Sequence, residues 1–304
     1  MSFYLPIADI EINLLIVLFF GFIVGFMSGL FGVGGGFLMT PLLIFMGIPP
    51  ATAVGTESVQ ILGSSVSGAM AHGLKKNIDY EIGAFLLVGG IFGSTLGVIL
   101  FNFFKESGNI DLIIKFLYIL FLAIIGILML IESSISLVKE KKIENTIREK
   151  KRNILDFLPL KLKFRQSKIY ISILLPISVG IFTGFLSAFM GVGGGFVMVP
   201  AMIYIFRMGT VLAIGTSLFQ IVFVTLNVSI LHATFNFSVD LILAIFLLVG
   251  GVIGAQYGSK FTSRFKGEQI RIFLALIVLS VCIKMGIELV TEPLTNSRVI
   301  LQNV

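Results

Sequence analysis

Ten sparsely charged apolar runs dominate this chain, in two sets of five. They lie near residues 12–31, 35–48, 52–73, 80–103 and 111–137, then near 169–190, 194–206, 211–233, 239–260 and 269–290. A helix needs roughly 20 apolar residues to cross a bilayer, and most of these runs have that length. A chain so built cannot cover a water-facing surface. Only 12% of its residues are charged and 57% are hydrophobic, against about a quarter and a half in soluble domains. The expected fold class is therefore an all-α integral membrane protein with about ten transmembrane segments, or eight if two do not cross. Those two are the second runs of each set. At 1.5 Å per residue, about 14 residues of helix reach only about 21 Å, so both are read as broken or half-length helices.

The two sets are copies. Residues 21–41 read GFIVGFMSGLFGVGGGFLMTP and residues 180–200 read GIFTGFLSAFMGVGGGFVMVP, identical at 12 of 21 positions with an offset of 159. The likeness continues through Gly55-Thr56 with Gly215-Thr216, Gln60 with Gln220, His72 with His232 and Asp79 with Asp240. Self-similarity of this kind marks a duplication. It divides the chain into a first transmembrane repeat (12–137), a linking segment (138–168) and a second repeat (169–290).

The linking segment holds 11 of the 22 Lys and Arg against four acids. Positive loops near membrane spans stay in the cytoplasm, so this loop is placed inside. A second reading is a clamp for anionic lipid headgroups; a nucleic-acid partner is not expected, because no binding fold accompanies the charge. If all ten runs cross, Lys75, Lys76, Arg207, Lys260, Arg264, Lys266 and Arg271 also fall inside, giving 18 of 22 basic residues there. If the short runs re-enter instead, Arg207 and the 260–271 cluster move outside and the bias is lost. Five crossings per half are therefore expected. An odd number inverts one half relative to the other, a recurring plan of secondary transporters. Met1 to Asn13 carries Asp9 and Glu11 but no Lys or Arg, so the first run is expected to be a retained helix rather than a cleaved signal.

The motif richest in consequence is Gly32-Val33-Gly34-Gly35-Gly36-Phe37, with its twin Gly191-Val192-Gly193-Gly194-Gly195-Phe196. Glycine costs about 1 kcal/mol relative to Ala inside a helix, so four in five positions should break one. Irregular backbone at membrane depth belongs inside protein or beside a cavity. The amides of Gly34, Gly35 and Gly36, and of Gly193, Gly194 and Gly195, then open short helices. Helix N-termini carry partial positive charge and unpaired donors and bind anions. The competing reading is that the glycines only allow a tight turn or close packing.

The third run of each half carries a polar stripe. Thr56, Gln60, Ser64 and Ser67 recur at helical spacing, as do Thr216, Gln220 and Asn227,. Such groups should face the bundle interior, where they could bind a solute or another helix. Glu57 is the acid inside a span near the glycines, a candidate for proton coupling or for a pair with a base; its twin is Ser217. His72 and His232 read as interfacial. Lys284 and Glu288 are spaced for a local ion pair. Glycines at four-residue intervals, such as Gly21, Gly25 and Gly29 or Gly89, Gly93 and Gly97, read as close-packing faces.

No P-loop, G-x-S-x-G or H-E-x-x-H motif occurs,. The single Cys282 and two histidines leave no disulfide or metal cluster to expect. No cofactor is expected, and an intramembrane enzyme or a scaffold is disfavoured. What remains is a carrier or a channel for a small solute, with no sign of ATP drive.

These residues resemble the TauE/SafE family of sulfite exporters and related anion transporters. The likeness rests on the two G-x-G-G-G-F-x-x-x-P blocks, Gly32 to Pro41 and Gly191 to Pro200, and on the Gly-Thr-x-x-x-Gln elements Gly55 to Gln60 and Gly215 to Gln220. It covers about residues 12 to 290. The resemblance implies a plasma-membrane permease for sulfite, thiosulfate or an organosulfur anion such as sulfoacetate, coupled to an ion gradient, with protons as the candidate coupling partner. The alternatives are an anion channel or a carrier of a non-sulfur metabolite. The site is expected between the halves, from the two glycine triplets with Thr56, Gln60, Thr216, Gln220 and Asn227, with Glu57 as the coupling group and with one half rocking against the other.

Overall fold

The structure, a computed structural model, describes residues 2–31, 36–138, 159–261 and 267–291. Gly32 to Gly35, most of the basic linking segment and the stretch holding Arg264 and Lys266 lie outside the described residues. Among the described residues there are ten α-helices: α1 (Leu14–Phe31), α2 (Gly36–Phe45), α3 (Pro50–Leu74), α4 (Tyr80–Glu106), α5 (Ile110–Val138), α6 (Leu174–Met190), α7 (Gly195–Tyr204), α8 (Thr210–Leu231), α9 (Leu241–Phe261) and α10 (Gly267–Thr291). Four stretches of the described residues are long and apolar enough to cross a bilayer alone: Tyr80–Glu106, Ile110–Ile131, Thr210–Asn236 and Leu241–Gly258. The α3 helix has the length but carries the polar stripe. The α2 and α7 helices have ten residues each, a rise of about 15 Å, as the short runs require.

Local chemistry sets several boundaries. Pro50 opens α3, where its missing N–H costs nothing,. Asp79 caps α4 by accepting from the amides of Glu81 and Ile82 at 3.1 and 3.2 Å,. Gly191 ends α6 in the left-handed region at φ 65°, and Gly194 at φ 75° starts α7. A turn of π-helix, His232–Asn236, closes α8.

Two short hairpins were not anticipated. Strand β1 (Ser2–Leu5) pairs with β2 (Ile10–Asn13), and β3 (Lys161–Phe164) pairs with β4 (Ile169–Ser172), both antiparallel. The apolar run beginning at 169 is thus part strand, and its helix starts at Leu174. The hairpins occupy equivalent places at the same offset of 159, each directly before the first helix of a half. The first buries Leu5 and Ile12, and the second Phe164.

Hydrogen bonds put the hairpins at opposite ends of the bundle. The β3–β4 turn reaches the start of α4: the Ser167 amide donates to Asp79 Oδ2 at 3.0 Å and Gln166 Nε2 to the Lys76 carbonyl at 2.8 Å. The β1–β2 turn reaches the start of α9, where the Ile7 amide donates to Asp240 Oδ2. At the far end of α4, Lys105 donates to the carbonyl of Asn236, just before α9. One end of the molecule therefore gathers Lys75, Lys76, Lys161, Lys163, Arg165 and Lys168 and is called the basic end below. Gly215 of α8 packs on the Asn77 carbonyl and Gly55 of α3 on that of Ser238, so α3 and α8 start at opposite ends. Arg207, just before α8, thereby lies at the basic end.

The helices do not sort by half. The α1 helix lies along α9, with Gly21 and Gly25 against Gly250 and Gly251; a Cβ at Gly25 would collide with the Gly251 backbone. The α6 helix lies along α4, where Gly180 and Gly184 meet the backbone at Leu86 and Gly90. These are the close-packing faces expected of the glycine series. One apolar cluster joins residues of α1 to α7, α9 and α10 with Leu5; a second joins α4, α7 and α8 with Phe164.

Candidate functional site

Gly36, which opens α2, and the second glycine turn meet at half height. Gly36 and Gly193 both pack against Ile61, near the middle of α3, and Gly36 also approaches Val192. At the next position of each helix, Phe37 of α2 stacks on Phe196 of α7, with ring centroids 4.4 Å apart and planes 20° apart. Two half-length helices thus point their N-termini at the same region from opposite ends. The first amides of a helix lack intrahelical partners and carry about half a positive charge. Gly36 and Gly195 supply such amides, and Gly193 and Gly194, at φ 71° and 75°, shape the turn. A side chain at Gly194 would press on the Thr183 backbone. Gly34 and Gly35 lie outside the described residues.

The stripe residues divide into two kinds. Thr56 and Thr216 are fully buried, and each tethers the other half: Thr56 Oγ1 accepts the Asp240 amide at 3.0 Å and Thr216 Oγ1 accepts the Asp79 amide at 2.9 Å. They thereby hold the starts of α9 and α4. Gln60 and Gln220 sit against glycine gaps, Gln60 at Gly251 and Gln220 at Gly90. Gln220 is fully buried with neither amide atom hydrogen-bonded. Asn227 is only half-buried and donates to Ser94 and Thr95 of α4 at 3.0 and 3.1 Å, so it joins two helices away from the glycine turns.

Glu57 lies between the contacts of the turns. Val54, Glu57 and Ile61 share one face of α3 by their spacing. Val54 carries Gly191, and Ile61 carries Gly36 and Gly193. Glu57 is completely buried and neither carboxylate oxygen has a hydrogen-bond partner. A charged residue at mid-membrane costs roughly 2.5–3.5 kcal/mol on insertion scales, and an unpartnered one retained there is a functional candidate. Nearby, Tyr118 of α5 donates to the Met190 carbonyl, which also accepts from Thr40.

Sequence reasoning missed Thr183 and Ser187 of α6 and Thr225 and Ser229 of α8. All four are buried, and Thr183 and Thr225 touch Gly194 and Gly193. Ser187 and Ser229 are without a hydrogen-bond partner. The signal was available as i,i+4 pairs of small hydroxyls. His232 is a different case: it is wholly buried, bound to the Ala188 carbonyl at 3.0 Å and to Asn236 at 2.9 Å, which corrects its reading as interfacial. The Lys284–Glu288 pair forms at 3.8 Å. Among the described residues, no group of three His, Cys, Asp or Glu side chains is placed to hold a metal ion.

The family model for the sulfite exporter TauE/SafE matches residues 17–285, nearly the whole helical part of the chain. The chain belongs to the TauE/SafE family. It is 30% identical over 266 residues to the "Probable membrane transporter protein YjnA" of Bacillus subtilis, covering 86% of this chain and 96% of that one. A "Probable membrane transporter protein" of Xylella fastidiosa is 31% identical over 280 residues, covering 89% and 94%. A shorter match, 33% over 78 residues, covers 26% of this chain and 18% of "Sulfite exporter TauE/SafE family protein 6" of Arabidopsis thaliana. No solved structure matches. As a TauE/SafE member the chain is a multi-pass membrane protein of a transporter family, and its apolar helices are its membrane-spanning part.

Proposed function

We propose that this protein is a secondary transporter of a small anion, with sulfite or an organosulfur anion as the substrate class, in the plasma membrane. The observation that carries the reading is the convergence of α2 and α7, N-terminus toward N-terminus, on Ile61 at mid-bundle. Two partial positive ends and their free amides suit an oxyanion without a buried cation. Backbone amides of the two glycine triplets hold the anion in this reading, and Gln60 and Gln220 add hydrogen bonds. Glu57 takes up and releases the coupling proton.

The two repeats are inverted in this proposal. Equivalent hairpins at opposite ends of the bundle, and α3 and α8 starting from opposite ends, support it. The basic end is then cytoplasmic. The moving parts are not the N- and C-terminal halves, because glycine contacts bind α1 to α9 and α6 to α4. Each moving unit mixes the halves: α1, α2, α3 and α9 form one, and α6, α7, α8 and α4 the other. They meet along α3 and α8 and at the Phe37–Phe196 stack.

The test is flux of radiolabelled sulfite, thiosulfate and sulfoacetate in proteoliposomes, with and without a proton gradient. Saturable flux that the gradient drives uphill is the expected result. Flux that neither saturates nor runs uphill would indicate a channel. Replacing Gly194 with Leu should abolish flux in protein that still inserts and stays monodisperse; unchanged flux would sink the amide site.

A further inference from the structure

Hydroxyls buried in helices normally donate to a carbonyl one turn back on their own helix. Ser58, Ser94 and Ser217 all do so here, at 2.8 to 3.1 Å. Ser187 and Ser229 do not: each is buried, at 0% and 7% exposure, and its Oγ has no partner. Each lies one turn beyond a threonine that touches the second glycine turn, Thr183 against Gly194 and Thr225 against Gly193. The α6 and α8 helices both start at the basic end, so Thr183→Ser187 and Thr225→Ser229 step in the same direction, away from it. Ala188 and Val228, their chain neighbours, meet in one buried cluster, which sets Ser187 and Ser229 at the same height.

We propose that Thr183, Ser187, Thr225 and Ser229 form a hydroxyl-lined path that carries a small oxyanion between the glycine turn and the end of the bundle opposite the basic loops. The proposal deepens the transport reading above and rests on it for the identity of the ligand. Hydroxyl protons suit this task because they can leave a helix carbonyl, point at a passing oxyanion and return, without fixed charge that would trap it. Thr183 and Thr225 donate to Val179 and Ile221 at 2.9 and 2.7 Å and would switch in this way; the two serines have no bond to break. The full set of four belongs to one half only. Ser28 and Ser65 stand at the positions equivalent to Ser187 and Thr225, but those equivalent to Thr183 and Ser229 are Val24 and Ala69, which offer no hydroxyl.

The test has two arms on the full-length protein. In the first, S187A/S229A and T225V are reconstituted and sulfite flux is measured. Loss of two donors raises KM roughly tenfold, with normal insertion and melting. In the second, S187C and S229C are made in a C282A background and treated with an anionic, membrane-impermeant thiosulfonate. Both should react, more slowly when sulfite is present, while I230C, on the exposed face of α8, should not. Wild-type KM in the first arm with unreactive S187C and S229C overturns the path. If the wild-type protein carries no sulfite at all, the transport reading fails by itself. Labelling then still judges the path: reaction at both serine positions but not at I230C upholds a polar route, and no reaction removes it.

Discussion

The α3 and α8 helices carry the same Gly-Thr-x-x-x-Gln element and differ one residue after the threonine. Thr56 and Thr216 do the same work, each accepting the backbone amide of an aspartate from the other half. Gln60 and Gln220 fill equivalent glycine gaps. The next position separates them. Ser217 donates to the Ile214 carbonyl at 2.8 Å, whereas Glu57 is buried with no partner. Further along, Thr225 and Ser229 of α8 face Ser65 and Ala69 at the equivalent places of α3. Residues that hold the fold are duplicated, and so is the unpartnered Gln220, whose copy is Gln60; the unpartnered Glu57 and Ser229 are not, since Ser217 and Ala69 stand in their places. Duplication therefore explains the scaffold and the paired site elements, and any asymmetry between the halves has to be sought where the copies diverge.

The largest effect should come from breaking the duplicated part. Gly25→Leu drives a side chain into the Gly251 backbone and should cost about 3 kcal/mol or more, read as loss of monodisperse protein and of the thermal transition in detergent. Gly286→Ala, with open space around its position, should leave melting unchanged or raised by up to about 1 kcal/mol. Next comes the divergent pair: Glu57→Gln should abolish stimulation of flux by the proton gradient while the protein folds normally, and Ser217→Ala should retain it. Equal behaviour of the two variants would remove the asymmetry from the mechanism.

The two aspartates test the scaffold more finely. Asp79 accepts from Glu81, Ile82 and both donors of Ser167, while Asp240 accepts from Leu243 and, at 3.4 Å, from Ile7. Asp79→Ala should cost about 2 kcal/mol and Asp240→Ala about 1, at the upper and middle range of lost caps; melting curves of the two variants check the order. The smallest effect belongs to Lys284, whose ammonium lies over the Phe45 ring at 3.9 Å and 3.8 Å from Glu288. Its side chain is more than half exposed, so Lys284→Ala should shift melting by no more than about 1 kcal/mol.

Much of the fold was legible because lipid imposes a simple rule on sequence. Runs of apolar residues had to be helices, and glycine clusters had to break them, so the expected runs and the observed helices agree within a few residues except at 169–173. The hairpins escaped notice because four-residue strands such as SFYL and KLKF give too little period-two pattern to stand out beside a charged terminus or loop. At the candidate site, Gly193 to Gly195, Gln60, Gln220 and Glu57 were singled out from residue type alone, and all are buried. Asn227 was grouped with them by helical spacing, yet it bonds Ser94 and Thr95, since spacing along one helix does not say which neighbour each face meets.

Composition and periodicity by themselves determined a helical membrane protein, its duplication, its two broken helices and the charge asymmetry of its ends, because these follow from local chemistry and from the bilayer as solvent. Which helices pair was decided only in the tertiary structure. Glycine lets α1 approach α9 and α6 approach α4, across the boundary of the repeats, because backbone contact depends on where another helix can come close. The same packing decided which buried hydroxyls found a partner and which, at Ser187 and Ser229, were left without one.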